Sequence, residues 1–430
     1  MVSLVFTGVY FTFATRFVQF MRPTEMFRLI TGGTKKKGHI SSFQAFSIST
    51  ASRVGTGNIV GVSTAICLGG PGACFWMWIM CIITAASAFM ESTLAQIFKR
   101  KDKEGNYFGG PAYYIEKALH APWLSVLFCI FLIATYGLGF NLLCAYNLQS
   151  SFAAYPFYGA HTLSIFGSEV SAVAVGIGIA LTVLVAFFML GNGKRVVRVT
   201  EILVPVMGMA YVLISLIVIF VNIKNIPSMF VTIFEDAFDF EAILGGITGS
   251  CLVYGIKRGL YSNEAGVGSA PNASASANVT HPAKQGLVQT LSVYIDTLLL
   301  CTATALMCLS TGVERSVEVA GAPYVQNAVS TVFGSFGPLF ITVAMVLFAF
   351  TTLLGNLFYV DNALAYLNGK KMPSKRFLDI FHIICAIVIF FGTIIPMDAA
   401  WAAADITMGG MTMINIPACV LLGNIAIKRS

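Results

Sequence analysis

Charge is what this sequence has least of. Only 10% of its 430 residues are Asp, Glu, Lys or Arg, against about 25% in an ordinary soluble protein. A water-soluble enzyme of this size is excluded, because its surface could not be clothed in polar groups. Histidine is scarce too, with five residues and no ligand spacing. The HExxH, GxSxG and GxxxxGK[ST] patterns are absent. Zinc hydrolysis, acyl transfer and nucleotide hydrolysis therefore lack residues to carry them, and the chain nominates no catalytic residue and no cofactor. The ten cysteines (67, 74, 81, 129, 144, 251, 301, 308, 385 and 419) each lie in an apolar run, with no CxxC pair. They read as small buried hydrophobes and not as disulfides or metal ligands.

What is present is apolar. Hydrophobic residues make up 57%, thirty-five of them Phe, and the mean hydropathy is +0.81. Such a chain takes the bilayer as its main solvent, where about 20 apolar residues make one helical crossing. Eleven candidate spans follow: 1–20, 43–68, 73–98, 123–149, 168–190, 198–222, 242–262, 286–310, 332–366, 376–395 and 398–427. The first lacks the basic start and cleavage site of a signal peptide and reads as a retained helix.

The net charge of +7 is distributed, not patchy. Basic residues punctuate the spans in short clusters, such as Lys35-Lys36-Lys37, Lys99-Arg100-Lys101, Lys257-Arg258 and Lys370-Lys371. A nucleic-acid footprint would need them on one hydrated face, so nucleic acid is not an expected partner. Alternating eleven spans places 23 of the cations on one side and two, Lys224 and Arg315, on the other, with Arg53 inside a span. By the positive-inside rule the 23 face the cytoplasm, the N-terminus lies outside and the C-terminus is cytoplasmic, in a plasma (inner) membrane. The outer loops are acidic, with Glu235, Asp236, Asp239, Glu314 and Glu318. The sequons at Asn272 and Asn278 then fall on the cytoplasmic side and read as chance.

The second span is interrupted at Ser49-Thr-Ala-Ser-Arg-Val-Gly-Thr-Gly-Asn58. Non-helical backbone at membrane depth survives only where it lines a cavity or is buried in protein. Gly57-xxx-Gly61 alone would fit close helix packing. The addition of Ser52, Arg53, Thr56 and Asn58 favours an unwound, ligand-binding hinge. The seventh span carries a second interruption, Gly245-Gly-Ile-Thr-Gly-Ser250. Counted from the second span, these are helices one and six of a ten-helix set, so residues 43–222 and 242–427 read as two inverted halves after an extra helix, 1–20. All belong to one transport domain, 1–430. Interrupted helices at matching positions point to a transporter binding site, where half-helix N-termini suit a carboxylate and freed carbonyls suit a cation or ammonium.

The ninth span adds Thr351-Thr352. A lone Thr back-bonds to its own helix, whereas a pair beside a cavity can complete a sodium shell. Among the intramembrane acids, Glu91, Asp361 and Asp398 lie near span ends, where hydrated or capping roles are expected. Glu201 pairs plausibly with Arg198. Asp296, which is deeper, is the preferred buried partner of Arg53.

Several stretches resemble the alanine or glycine:cation symporters of bacteria and archaea. They are Arg53–Ile66, Gly69-Gly-Pro-Gly-Ala-Cys-Phe-Trp-Met-Trp78, Gly109-Gly-Pro-Ala-Tyr-Tyr-Ile115, Lys257–Pro271 and Phe350–Gly355. The resemblance implies an all-α polytopic fold like that of the leucine transporter, a five-plus-five inverted repeat preceded by one helix. It implies sodium-coupled uptake of a small zwitterionic amino acid, with sodium as coupling ion, membrane lipid as surroundings and no obligate protein partner. Substrate is expected at Gly55, Thr56, Gly57 and Asn58, facing Gly246, Thr248, Gly249 and Ser250. Sodium is expected at Ala51, Val54, Phe348, Thr351 and Thr352. Asn263 and Glu264, in the Ser262–Gly266 motif, are expected to be structural or gating elements on the cytoplasmic side, with Arg53 and Asp296 in similar roles. Three features depart from the family pattern. Cys144 and Tyr146 stand where many members carry Gln and Asn, and Asn356 stands where some carry Trp, so these three are expected to reshape the substrate pocket. Met1 falls inside the first helix, where members usually have residues before it. Proton coupling on the same fold, or a channel or nutrient sensor, are the alternative functions.

Overall fold

The computed structural model describes residues 2–32, 40–101, 105–165, 168–190, 193–245 and 250–429. The chain is built from helices: α1 (Val2–Ala14), α2 (Pro23–Thr31), α3 (Ser42–Arg53), α4 (Val60–Gly69), α5 (Ala73–Phe98), α6 (Pro111–Leu119), α7 (Pro122–Ser150), α8 (Ala172–Met189), α9 (Gly193–Val221), α10 (Ile226–Ala237), α11 (Phe240–Gly245), α12 (Cys251–Asn263), α13 (Ala270–Ser276), α14 (Pro282–Ser310), α15 (Ala322–Phe333), α16 (Phe336–Leu367), α17 (Lys375–Gly392) and α18 (Met397–Ile427). Two small antiparallel hairpins sit in the connections, one pairing Arg100 with Phe108 and the other Thr162 with Ser171.

Among the described residues, seven helices are continuous, apolar and long enough to cross a membrane: α5, α7, α8, α9, α14, α16 and α18. α1, α17 and the paired half-helices α3/α4 and α12/α13 stand at the other four of the eleven expected positions. Their packing separates two surfaces. α5 is buried over most of its length, because α1, α12, α13 and α14 all lie against it. α8 and α9 instead expose Ile179, Val183, Phe187, Ile202, Met209 and Leu213, which is what a lipid-facing helix requires.

Short amphipathic helices escape a search for 20-residue apolar runs, and α2, α6, α10 and α15 are of this kind. The first span is also less simple than expected. Its helix stops at Ala14, and Arg16 and Phe17 take left-handed φ values of 54° and 59°. Both α7 and α14 contain π-helical turns, at Ala134–Gly139 and Ile295–Cys301. Such turns commonly mark functional positions in a helix, and here both sit beside the interruptions described next.

The face carrying Lys99–Lys101 and Lys370–Lys371 is called the basic face, and that carrying Asp236, Glu314 and Glu318 the acidic face.

Candidate functional site

α3 starts in a reciprocal cap, Ser41 Oγ accepting from Gln44 N (3.2 Å) and Gln44 Oε1 from Ser41 N (3.0 Å). This satisfies two of the backbone donors that a helix start leaves free. Gln44 Nε2 also donates to Glu201 (3.0 Å). The helix ends at Arg53 for a local reason. Gly55 N–H turns onto Asn58 Oδ1 (2.8 Å) and not back to Ala51, which frees the Ala51 carbonyl. A single 3₁₀ turn, Thr56–Asn58, follows before α4 begins. The other face of Asn58 holds the break against the rest of the core. Its Nδ2 donates to Asp296 Oδ1 (2.7 Å) and Ser262 Oγ (3.1 Å), while Thr304 Oγ1 donates to its carbonyl (2.8 Å). Asn147 Nδ2 donates to Thr56 Oγ1 (3.1 Å). The two glycines are sterically required: a methyl on Gly57 would lie 2.8 Å from a Tyr261 ring carbon, and one on Gly55 would collide with Thr352 Oγ1.

Gly246, Thr248 and Gly249 lie outside the described residues. Ser250 is described, and it caps the start of α12, accepting from Val253 N (3.4 Å). Depth is read along the neighbouring α5, which runs from the acidic to the basic face. A methyl on Gly255 would lie 2.7 Å from Trp76 Cβ, one on Gly259 3.4 Å from Met77 Cα, and one on Gly266 3.3 Å from Ser87 Cβ. Further on, Gln96 donates to the Ala277 carbonyl (3.0 Å). Ser250 is therefore at the acidic-face end, while the segment 264–269 is at mid-depth.

That segment is the second break, between α12 and α13. Glu264, Gly266 and Gly268 take φ values of 51°, 84° and 97°, which L side chains rarely adopt. It is pinned on several sides. Asn263 Oδ1 accepts from Ala265 N (3.0 Å) and Asn263 Nδ2 donates to Thr297 (3.2 Å). Glu91 accepts from Gly266 N (3.3 Å), and Asn415 donates to Glu91 (2.9 Å) and to the Gly266 carbonyl (2.9 Å). Asn263 and Glu264 are thus fully buried in the bundle, level with the middle of α5. Glu91, expected near a hydrated helix end, is fully buried, seven residues before α5 stops.

The same relocation moves Lys257 and Arg258 to the acidic-face half. Arg258 stacks on Trp401, 3.4 Å from the ring centroid, and lies 3.9 Å from Asp405. Tyr261 packs between Trp401 and Phe140, with centroids 4.9 and 4.7 Å apart. These aromatic groups cover the first break on its acidic-face side.

Arg53 and Asp296 are brought into one interior but do not form the expected pair. Arg53 donates to Gln289 Oε1 (3.0 Å), and among the described residues its Nε and Nη2 have no hydrogen-bond partner. Asp296 instead accepts from Asn58, Ser262 (2.8 Å) and Thr297 (2.9 Å).

Two of the residues expected to hold sodium, Ala51 and Thr352, lie where α16 crosses α3. Gly355 allows the approach, since a methyl there would lie 2.8 Å from Ser52 N. Thr351 Oγ1 back-bonds to Leu347 O (3.0 Å) and Phe348 O (3.2 Å), which is the ordinary behaviour of helical Thr. Thr352 Oγ1 is buried without a partner and faces Gly55.

Asn356 accepts from Ser52 (2.8 Å) and donates to Asn141 (3.0 Å). Cys144 is buried, its Sγ 3.6 Å from the Ala349 carbonyl. Tyr146 is only partly buried and, two residues on, points about 200° away on the helix. The polar face of α7 is instead Asn141, Cys144 and Asn147. Their spacing of three residues in an apolar run was a readable signal. Ser262 and Tyr261 were marked only as members of the Lys257–Pro271 stretch, and no sequence signal singled out Trp401 or Gln289.

Two facing helix breaks at mid-depth, inside a bundle of crossing helices, define a polytopic membrane transporter and not an enzyme. The comparisons with known proteins agree. A model of the sodium:alanine symporter family matches residues 1–430. The amino-acid carrier protein AlsT of Bacillus subtilis (strain 168) is 42% identical over 427 residues, 99% of this chain and 87% of that protein. The sodium/proton-dependent alanine carrier protein of Bacillus sp. (strain PS3) is 36% identical over 412 residues, 92% of this chain and 88% of that one. The crystal structure of MhsT in complex with L-phenylalanine matches with a TM-score of 0.61 over 90% of each chain, at 12% identity. That likeness speaks for the fold alone, an all-α leucine-transporter-like architecture. The chain belongs to the sodium:alanine symporter family and is an amino-acid transporter.

Proposed function

We propose that the protein takes up a small neutral amino acid, alanine- or glycine-like, together with sodium by alternating access. The observation that carries this reading is the meeting of the two breaks, 54–59 and 264–269, beside the unpartnered Thr352 hydroxyl. The substrate carboxylate would meet the amides of Thr56 and Gly57 at the N-terminal end of α4, where the helix dipole favours negative charge. Gly55 is less available, since its N–H is committed to Asn58. Sodium would be held by carbonyls of Ala51, Val54 and Phe348 with the hydroxyls of Thr351 and Thr352. The ammonium would meet carbonyls freed at 264–269. Residues 43–222 and 242–427 would be the two inverted halves, the second with its broken helix at 251–276. The basic face would be cytoplasmic, in a plasma (inner) membrane, with the N-terminus outside and the C-terminus inside. Arg258, Trp401 and Asp405 would form the outer closure.

Proteoliposomes with an imposed sodium gradient test the reading. Accumulation of labelled alanine or glycine should require the gradient and saturate. Equal uptake with and without sodium would sink the coupling claim, and unsaturable flux would favour a channel. A second reading, coupling to protons, is favoured by the three buried carboxylates Glu91, Glu264 and Asp296. Uptake driven by a pH gradient in sodium-free medium is its test.

A further inference from the structure

Glu91, Glu264 and Asp296 are all at most 1% exposed and lie within electrostatic reach of one cation, Arg53. Their hydrogen bonds distinguish them. An ionised carboxylate only accepts, whereas a protonated one also donates. Asp296 is supplied with three donors, Asn58 on Oδ1 and Ser262 and Thr297 on Oδ2. Glu91 receives an amide on each oxygen, from Gly266 and from Asn415. Both surroundings suit a carboxylate.

Glu264 is different. Its Oε2 accepts from Ser269 (2.6 Å). Its Oε1 lies 3.2 Å from Ser52 Oγ, and that same hydroxyl lies 2.8 Å from Asn356 Oδ1. Asn356 turns its oxygen to Ser52 because its amide nitrogen donates to Asn141 (3.0 Å), whose own nitrogen points at the Gly137 carbonyl (3.5 Å). Two acceptors therefore face one hydroxyl proton. The shorter contact takes it, and an ionised Glu264 would be left with an oxygen against a lone pair of Ser52. A proton on Oε1 removes the conflict. Glu264 then donates to Ser52, Ser52 to Asn356, and Asn356 to Asn141, in one directional chain. The other titratable or charged groups around Glu264 are Arg53 from α3, Tyr136 from α7, Tyr359 from α16 and Tyr261 from its own helix. The buried hydroxyl of Tyr136 also reaches the Glu264 carboxyl and Ser269, while that of Tyr359, among the described residues, makes no hydrogen bond to it.

We propose that Glu264 is a proton-binding site, occupied in the conformation described here, through which pH acts on transport. Its side chain ties the second break to α3 through Ser52 and to α16 through Asn356. Loss of the proton breaks that tie and loosens the contact between the two breaks. The part of this concerning transport rests on the symporter reading above; the protonation does not.

Two measurements test it on the full chain in liposomes. Infrared difference spectra at neutral pH should contain a carboxylic-acid C=O band that vanishes in Glu264→Gln and shifts, without vanishing, in Ser52→Ala. If Glu264→Gln removes carboxylate bands instead, the proposal is overturned. Exchange of labelled amino acid at equal sodium on both sides should fall as pH rises, by about tenfold per unit beyond the midpoint. In Glu264→Gln, whose amide mimics the protonated acid, exchange should lose that dependence. An unchanged pH profile in Glu264→Gln overturns the proposal. A wild-type protein that exchanges no amino acid yet shows the acid band supports the proton site and defeats the transport reading alone.

Discussion

Arg53 donates to the side-chain oxygen of Gln289 at 3.0 Å, and among the described residues no carboxylate forms an ion pair with it. A guanidinium buried to 2% exposure is thus held by a neutral amide while three acids lie around it. It serves the interior as a shared counter-charge, not as half of a salt bridge.

Replacing Arg53 by Met leaves the buried carboxylates uncompensated, a defect expected to cost about 3–5 kcal/mol. The thermal midpoint of the purified variant should drop and should recover in part as sodium is raised. An unchanged midpoint across sodium concentrations would show that Arg53 compensates nothing.

The two adjacent threonines should behave differently. Thr352→Val removes the unpartnered hydroxyl, and the sodium concentration for half-maximal uptake should rise at least about tenfold, the worth of one charge-assisted contact of about 1.5 kcal/mol. Thr351→Val removes a hydroxyl already satisfied by its own helix, so its effect should be smaller. Sodium titrations of uptake with both variants decide the order.

On α7, Asn147 faces Thr56 while Tyr146 points elsewhere. Asn147→Ala should therefore raise KM for the amino acid several-fold, whereas Tyr146→Phe should leave it within about twofold, as expected for a side chain outside the contact. Equal effects of the two would place the pocket on the wrong face of this helix.

Lys99, just beyond α5, is held by partial burial down to about 8. It donates to Gln96 Oε1 (2.7 Å) and the Ala277 carbonyl (2.9 Å). Its ordinary value is 10.5, so between about 8 and 10.5 the unfolded chain binds more protons than the folded one. Stability contributed at this position therefore rises with pH across that window. Thermal midpoints of the wild type measured against Lys99→Met should diverge in favour of the wild type from pH 8 upward; parallel curves would refute the assignment.

The first break was legible in the sequence because polar and glycine residues interrupt an apolar run, and the bilayer tolerates that only in a protected place. The break at 264–269 was not singled out by the same logic, because Lys257, Arg258 and Glu264 gave it the appearance of a cytoplasmic loop; Gly246, Thr248 and Gly249 lie outside the described residues. Hydropathy registers a charge but not what covers it: Arg258 is roofed by Trp401, and Glu264 by Ser52 and Ser269.

Low charge and long apolar runs by themselves determined the membrane class, the eleven crossings and the face on which most cations gather. These depend on transfer of each segment from water, a local property. Which break meets which, which acid meets Asn58, and where Ser52 sends its single proton were decided only by tertiary structure. Those outcomes turn on contacts a few ångströms long between residues more than two hundred positions apart, as Asn58 and Asp296 are, and no local pattern encodes them.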